Sequence, residues 1–422
     1  MSGRGFLLVL NALCLRGLGS GVVVLFTVLV SRFLDAQEAA HFFLLFNISA
    51  IAAVCFRWGL DEVIIRRVAS VPAEMRATLE TYMVGISHRR VLVWTIVVFA
   101  IAFIQSRSFV SLGAYKLEMQ EALVLVVASA LIALVACAAR AHQGSGRTNL
   151  ATFLLNIIVP FISLLGLLII SAVSQSVKAY DLFLIYACVA VVVYLGVVSF
   201  RYGSPIAIYS KIRTIVHADE IKADTNAANK LGGVVLAQQI LIWAALLIVP
   251  AVYGEVTYNG FVVAQKIATL ISLVMLAINF TLSSRFSSLF SAGLISELRR
   301  MVKLSIAAIL LSSVTVMVIV LLLRRHIFEF AKVSVDMDVT LAVLLSAQVL
   351  FSLASLFSIV LSMCRDDNFL LRAHGLINII GALSFFLATQ AFKIEVACIF
   401  FIICYFALAI TLGYRVHRIA SV

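Results

Sequence analysis

The chain has 422 residues, of which 63% are hydrophobic and only 12% are charged. Soluble domains are typically about 45–50% apolar and about 25% charged, so this composition excludes disordered proteins, fibrous repeats and almost all soluble enzymes. It leaves an integral membrane protein with many spans and no large extramembrane domain.

Apolar runs between charge clusters predict twelve transmembrane helices. In chain order they cover about 6–31, 40–56, 91–106, 121–139, 150–172, 181–200, 231–252, 258–281, 301–323, 339–363, 369–391 and 395–414. Transmembrane strands would be about ten residues long and would alternate in polarity, which these runs do not. The predicted fold class is therefore an all-α polytopic membrane protein.

The net charge of +12 comes from Lys and Arg in short loops, so we expect no nucleic-acid partner. If the N-terminus is cytoplasmic, 22 of the 32 Lys and Arg residues fall on the cytoplasmic side and 8 on the other side. The remaining two, Arg16 and Lys266, lie inside predicted spans. Because cytoplasmic loops of membrane proteins are enriched in Lys and Arg, both termini are predicted to be cytoplasmic.

The longest polar connection in the middle of the chain divides the spans six and six. We predict a six-helix bundle over 1–200, a cytoplasmic linker over 201–230 and a second six-helix bundle over 231–422. Since each half has an even number of spans, a pseudo-twofold axis would run along the membrane normal. The linker either contains a short amphipathic helix on the inner surface or is a plain connection. The isoleucines of that helix would be Ile206, Ile208, Ile212 and Ile215.

Two cations inside the predicted spans are the most informative residues. Arg16 lies about ten residues into the first apolar run, or ~15 Å along a helix, and Lys266 lies ~12 Å into the eighth. A charge at the bilayer centre costs at least about 2.5–3.5 kcal/mol and therefore indicates a functional cavity. Alternatively, Arg16 anchors the interface after a surface segment over 1–15, and Lys266 pairs with a buried carbonyl or amide.

Other polar groups in the spans give weaker indications. Arg57 and Asp61 are four residues apart near the inner end of the second span, where they could form a local ion pair or part of a gate. Asn47, Gln238 and Gln239 could bond to neighbouring helices or contact a ligand. Every Asp and Glu is expected in a loop or at a span end, so a ligand is expected to be anionic.

Motifs for chemistry are few. The sequence has no HExxH motif and no Walker loop, and its seven cysteines have no CxxC spacing. We expect no metal, no cofactor and no enzymatic activity.

Two stretches resemble a known transporter family. Glu38 and Phe42, followed by Gly59-Leu60-Asp61 and Arg66-Arg67-Val68-Ala69, resemble the second span and its exit in Wzx-type flippases. These flippases belong to the superfamily of multidrug, oligosaccharidyl-lipid and polysaccharide exporters. The stretch from Tyr258 to Lys266 is similar to the eighth span of that family. His41 stands where the family often has Gly, and Ser283-Ser284-Arg285-Phe286 replaces a frequent Pro.

The resemblance implies two six-helix bundles with a cationic cavity between spans 1, 2, 7 and 8. It also implies a flippase of the bacterial inner membrane that moves an undecaprenyl-pyrophosphate-linked oligosaccharide to the outer leaflet by alternating access. The oligosaccharide would be a repeat unit of O-antigen, capsule or exopolysaccharide. Membrane lipids, a polysaccharide polymerase and a chain-length regulator would be partners.

Roles follow for the residues named above. Arg16 and Lys266 would hold the pyrophosphate–sugar region, and Gln238, Gln239 and Asn47 would also contact the substrate. Arg57, Asp61 and Arg285 would tune the inner gate. The main alternative is a drug or cation exporter of the same superfamily, which would require a deep carboxylate. A membrane polysaccharide polymerase or ligase would require a larger outer loop than the chain offers.

Overall fold

The computed structural model describes residues 3–107, 118–174, 176–202, 218–364 and 366–421. Within these ranges the chain is helical, with short connections and no strands. The helices are α1 (Gly3–Phe33), α2 (Ala36–Arg57), α3 (Leu60–Ser70), α4 (Ala73–Arg107), α5 (Met119–Gly144), α6 (Thr148–Asn156), α7 (Ile158–Val173), α8 (Ala179–Tyr194), α9 (Phe200–Tyr202), α10 (Ala218–Ala268), α11 (Leu273–Ser291), α12 (Ile295–Phe330), α13 (Asp338–Met363), α14 (Asp367–Ala391) and α15 (Ile394–Ser421). A π-helical turn joins α8 to α9, and a 3₁₀ turn at Thr269–Ser272 joins α10 to α11.

Eleven helical stretches of the described residues are long and apolar enough to cross a membrane. One of them, Asp224–Asn279, has 56 residues, which is more than twice the ~20 residues that one span needs. Its backbone leaves the helical conformation at Gly254, where φ is 79° and ψ is 175°, a conformation that glycine adopts at little cost. The stretch therefore contains the seventh and eighth predicted spans, which brings the number of spans to twelve.

The third span differs from its prediction. It was expected over 91–106, but α4 begins at Ala73, and the stretch Glu74–Ala100 is long and apolar enough to span. Glu80 lies inside that stretch and is only 1% exposed. Glu80 is thus a buried acid near the start of the third span, which agrees with the expectation that acidic residues lie in loops or at span ends.

The chain forms two compact units, residues 38–236 and residues 1–37 together with 237–422. Helix α1 packs within the second of these units: the Ser31 hydroxyl and the Arg32 guanidinium each donate a 2.9 Å hydrogen bond to backbone carbonyls at Ala331 and Phe330. The predicted bundle boundaries stay a prediction. Of the predicted linker, residues 218–230 form the first turns of α10, whereas its four isoleucines lie outside the described residues.

Small side chains set the packing in the unit of residues 38–236. Helix α5 buries a run of alanines, which lets neighbouring helices approach closely, as is common in membrane bundles. A Cβ at Gly144 would lie 2.8 Å from Cβ of Val68 on α3. The core of the other unit includes Phe286, Leu356 and Leu412.

A tight break separates α2 from α3. Trp58 and Gly59 have positive φ values of 40° and 73°, so the chain turns sharply after the second span. A Cβ at Gly59 would lie 2.5 Å from the carbonyl oxygen of Ala228 on α10, and Gly232 packs against the same turn. Both the backbone conformation and the close approach therefore require glycine at position 59.

Candidate functional site

Arg16 contacts the eighth span directly. It lies in the continuous helix α1, is half-buried, and its Nη1 donates a 3.0 Å hydrogen bond to the carbonyl oxygen of Leu276 on α11. A guanidinium that donates to a backbone carbonyl keeps its positive charge. The structure thus holds this cation in a fixed position against another span.

Lys266 lies on the same span as the carbonyl that Arg16 contacts. It is half-buried near the end of α10, and the Thr269 hydroxyl donates a 2.6 Å hydrogen bond to the Lys266 carbonyl. Ten residues separate it from Leu276, which is ~15 Å along a helix. Both predicted substrate-binding cations therefore belong to one compact unit, and the backbone of Lys266 lies about 15 Å along the helix from the residue that Arg16 contacts.

Neutral polar side chains line the contact between the eighth span and α13. Gln348 Nε2 donates to the Ser272 hydroxyl at 2.5 Å, and the Ser272 and Ser352 hydroxyls are 3.0 Å apart. Asn279 Nδ2 donates to the Ser355 hydroxyl at 3.2 Å. On α13 these residues lie three or four positions apart, and on the eighth span Ser272 and Asn279 lie seven apart, so they form one polar seam.

A similar seam joins the second and fourth spans in the other unit. His41 Nε2 lies 3.1 Å from a Glu121 carboxylate oxygen, and the Ser129 hydroxyl donates to the Ser49 hydroxyl at 3.2 Å. The two serines are 80 residues apart, as are Ser272 and Ser352. The same serine pairing thus joins spans 2 and 4 in one half and spans 8 and 10 in the other. This supports the predicted parallel repeat.

The remaining predicted site residues are placed as follows. Arg57 Nη1 lies 3.9 Å from Asp61 Oδ2, which is the local ion pair expected from their spacing. Asn47 is buried, and Arg285 is exposed. Gln238 and Gln239 are half-buried near the start of the seventh span.

An ion-pair network surrounds Glu80, and it was not predicted from the sequence. Its carboxylate accepts hydrogen bonds from Arg147 Nη2 at 2.7 Å, from the Tyr202 hydroxyl at 3.3 Å and from the Ser145 hydroxyl. Arg201 Nη2 lies 3.5 Å away. Because a buried carboxylate is costly unless it is paired and hydrogen-bonded, these partners explain why the acid is tolerated there.

The network joins the ends of four spans. Glu80 lies on α4, Ser145 follows α5, Arg147 precedes α6, and Arg201 and Tyr202 lie on α9, at the end of the sixth span. No sequence pattern indicates this network, because the acid and its partners are 65 or more residues apart in the chain. The network accounts for the burial of Glu80 without invoking a ligand.

A second missed cluster is centred on His374 in α14. His374 is buried, and its Nε2 donates to the Ser358 hydroxyl at 2.8 Å, since that hydroxyl already donates to the carbonyl of Ala354. Asn378 Nδ2 lies 3.4 Å from His374 Nδ1 and donates to the Ala237 carbonyl at 2.8 Å. This arrangement fits a neutral imidazole that links α14 to α13 and α10.

Within the described ranges, no group of three or more His, Cys, Asp or Glu side chains is arranged to hold a metal ion.

Solved structures of transporters resemble the chain over nearly its whole length. An outward-facing multidrug resistance MATE family transporter of the MOP superfamily matches with a TM-score of 0.72 and 14% identity, over 98% of this chain and 95% of that one. A MOP superfamily transporter from Pyrococcus furiosus matches with a TM-score of 0.72, 15% identity and coverage of 98% and 95%. A MATE structure in complex with MaL6 matches with a TM-score of 0.70 and 15% identity, over 98% of this chain and 97% of that one.

No protein-family model matches the chain, and no curated protein matches it. At about 15% identity the structural likeness shows the fold alone. The predicted fold class is confirmed: the chain is an all-α, multi-pass membrane protein. Its fold is that of the MATE transporters of the MOP superfamily.

Proposed function

We propose that the protein is a flippase that moves an undecaprenyl-pyrophosphate-linked oligosaccharide from the inner to the outer leaflet by alternating access. The observation that carries this proposal is the shared position of Arg16 and Lys266. One guanidinium bonds to the span that bears the lysine, and both cations are half-buried within one unit. Two cations along one span could engage the pyrophosphate and an adjoining acidic group.

The surroundings of these cations suit a sugar. The polar seam of Ser272, Gln348 and Asn279 offers hydroxyl and amide groups, which can exchange hydrogen bonds with sugar hydroxyls. Gln265, next to Lys266, has a buried Oε1 without a hydrogen-bond partner among the described residues. Within the same unit, Gln238 and Gln239 are further proposed substrate contacts, and Arg285 is a proposed gate residue. In the unit of residues 38–236, Asn47 is a proposed substrate contact, and Arg57 and Asp61 are proposed gate residues.

The distribution of buried acids favours an anionic ligand over a cationic one. The buried carboxylates of the described residues are Glu80, Glu121 and Asp224, all in the unit of residues 38–236. Each lies within 3.1 Å of a basic side chain, namely Arg147, His41 and Arg67 respectively. A cation exporter would need an acid that is available to its substrate, and these acids are already engaged.

An exporter of drugs or other cations is the second candidate, because matching structures are named multidrug resistance transporters. The work on the Pyrococcus furiosus transporter describes a binding pocket of reverse polarity that suggests a different function. Pockets of opposite polarity are therefore compatible with this fold. On the present chain, the half-buried Arg16 and Lys266 favour the anionic ligand. An inner-membrane location and cooperation with a polymerase and a chain-length regulator belong to the same proposal.

The test is flipping of lipid-linked oligosaccharide in reconstituted vesicles. Arg16→Ala and Lys266→Ala should each reduce the initial rate at least tenfold, and Arg16→Gln and Lys266→Gln should fail equally, because charge is required. Arg324→Ala is the matched control, since Arg324 pairs with Asp338 at a largely exposed position.

The outcomes separate the two candidates. Wild-type flipping by well-folded Arg16 and Lys266 variants would refute the proposed site. Efflux of a cationic dye by the native protein, without flipping of the lipid-linked sugar, would establish the exporter instead.

A further inference from the structure

Two of the three tryptophans of the chain lie next to each other at the break between α2 and α3. The indole rings of Trp58 and Trp94 have centroids 6.3 Å apart and an interplanar angle of 30°. Both side chains are half-buried. The positive φ values at Trp58 and Gly59 set the direction of the Trp58 side chain, which a continuous helix would aim elsewhere.

Helix α10 leaves space for this pair. A Cβ at Gly232 would lie 2.8 Å from Cδ1 of Trp58 and 2.8 Å from its carbonyl carbon. The glycine therefore lets the Trp58 indole pack directly on the α10 backbone. The two rings are held by α4, α10 and the α2–α3 turn together, which makes them a rigid aromatic surface.

Arg90, with its guanidinium, lies one helical turn from Trp94. Arg90 is half-buried, and its Nη2 donates a 2.6 Å hydrogen bond to Asn229 Oδ1. Its partner is a neutral amide, so the bond leaves the positive charge of Arg90 in place. Asn229 is exposed, and its Nδ2 makes no hydrogen bond within the described parts of the chain. That group can donate to a ligand.

Tryptophan and arginine are also common as anchors at the membrane interface, where their side chains lie among lipid headgroups. An anchor of that kind needs no partner from another helix. Here the Trp58 indole packs on Trp94 and on Gly232, while Arg90 reaches across to α10. Arg90 is also ten residues, or ~15 Å, along α4 from the Glu80 network at the helix ends. The arrangement is thus a convergent cluster of three elements.

We propose that Trp58, Trp94, Arg90 and Asn229, together the Trp58–Trp94 platform, bind a sugar ring of the transported oligosaccharide. The apolar C–H face of a pyranose would stack on the indoles. Arg90 and the Asn229 amide would donate to its hydroxyls or to a carboxylate on an acidic sugar. This inference rests on the proposed flippase function. It adds a second substrate-binding site, which lies in the unit of residues 38–236, whereas Arg16 and Lys266 belong to the other unit.

Intrinsic fluorescence tests the platform. Trp243 lies outside it, so Trp243→Phe leaves emission from Trp58 and Trp94 alone. The probe is the oligosaccharide released by mild acid from the lipid-linked pool of the cells that make the protein. We expect saturable quenching that Trp94→Leu abolishes, that Trp94→Phe largely retains, and that Arg90→Gln weakens at least tenfold.

Flipping is measured on the same preparations, and thermal unfolding checks the fold of each variant. An unchanged emission from Trp58 and Trp94 while flipping continues would overturn the platform and leave the flippase standing. Saturable quenching without any flipping would support the platform as a sugar site and reject the proposed transport. Quenching that survives Trp94→Leu unchanged would also overturn the platform.

Discussion

Removing a basic partner of Glu80 should lower the free energy of unfolding more than neutralising Glu80 itself, because the buried carboxylate then keeps its charge without its nearest cation. In Arg147→Ala, the carboxylate of Glu80 stays 1% exposed but loses its 2.7 Å charged partner. Breaking a buried pair in this way costs about 3–5 kcal/mol. Because Arg201 at 3.5 Å and the Ser145 hydroxyl remain, we expect the lower part of that range.

Glu80→Gln should be milder. The amide keeps the size of the side chain, and the arginines left behind are 38% and 41% exposed, so water can solvate them. The loss is then that of charged hydrogen bonds, which are worth about 1.5–3 kcal/mol, reduced because exposed ion pairs contribute little. The double variant Glu80→Gln/Arg147→Ala should be more stable than Arg147→Ala alone, since no charge remains buried.

The measurement is the free energy of unfolding in mixed micelles for the wild type, both single variants and the double variant. Arg201→Ala is the control, with a loss of under about 1 kcal/mol expected for its longer, more exposed pair. If Arg147→Ala is no more destabilising than Glu80→Gln, or if the double variant is less stable than Arg147→Ala, the unpaired carboxylate of Glu80 is not the cause of the lost stability.

Two further predictions concern stability. Gly59→Ala should lose about 1–2 kcal/mol of unfolding free energy from its left-handed backbone and a further ~1–3 kcal/mol from the clash with α10. Gly146 has a φ of 85° and open space around it, so Gly146→Ala should lose only the backbone part. Equal unfolding free energies for the two variants would contradict the close packing at Gly59. His374→Leu should lower the unfolding free energy by about 1–3 kcal/mol, because the Asn378 amide and the Ser358 hydroxyl lose a buried partner. A variant as stable as the wild type would show that His374 links no helices.

Several features of the molecule could be predicted from the sequence because they depend on local composition. Apolar runs of about twenty residues define spans wherever they occur in a chain. A charge inside such a run stands out in the same way, which is how Arg16 and Lys266 were found. Arg57 and Asp61 do pair, as their spacing of four residues suggested, although the helix breaks between them at Trp58 and Gly59.

The burial of Glu80 could not be predicted in this way. The segment around it is rich in charged residues, which is typical of a loop, yet the segment is the first part of α4 and the acid is buried. Only the fold brings Ser145 and Arg147 to it, from 65 and 67 positions along the chain. The same holds for the Trp58–Trp94 pair and for α1, which packs within the unit that contains residues 237–422.

Composition and periodicity therefore determined that this is a multi-pass helical membrane protein, and they predicted two cations, Arg16 and Lys266, within its spans. The tertiary structure decided which side chains meet, because contacts between helices depend on their rotation and register. Hydropathy carries no information on either quantity. A shift of one residue turns a helix by about 100°, which is enough to move Glu80 or Trp94 away from its partners.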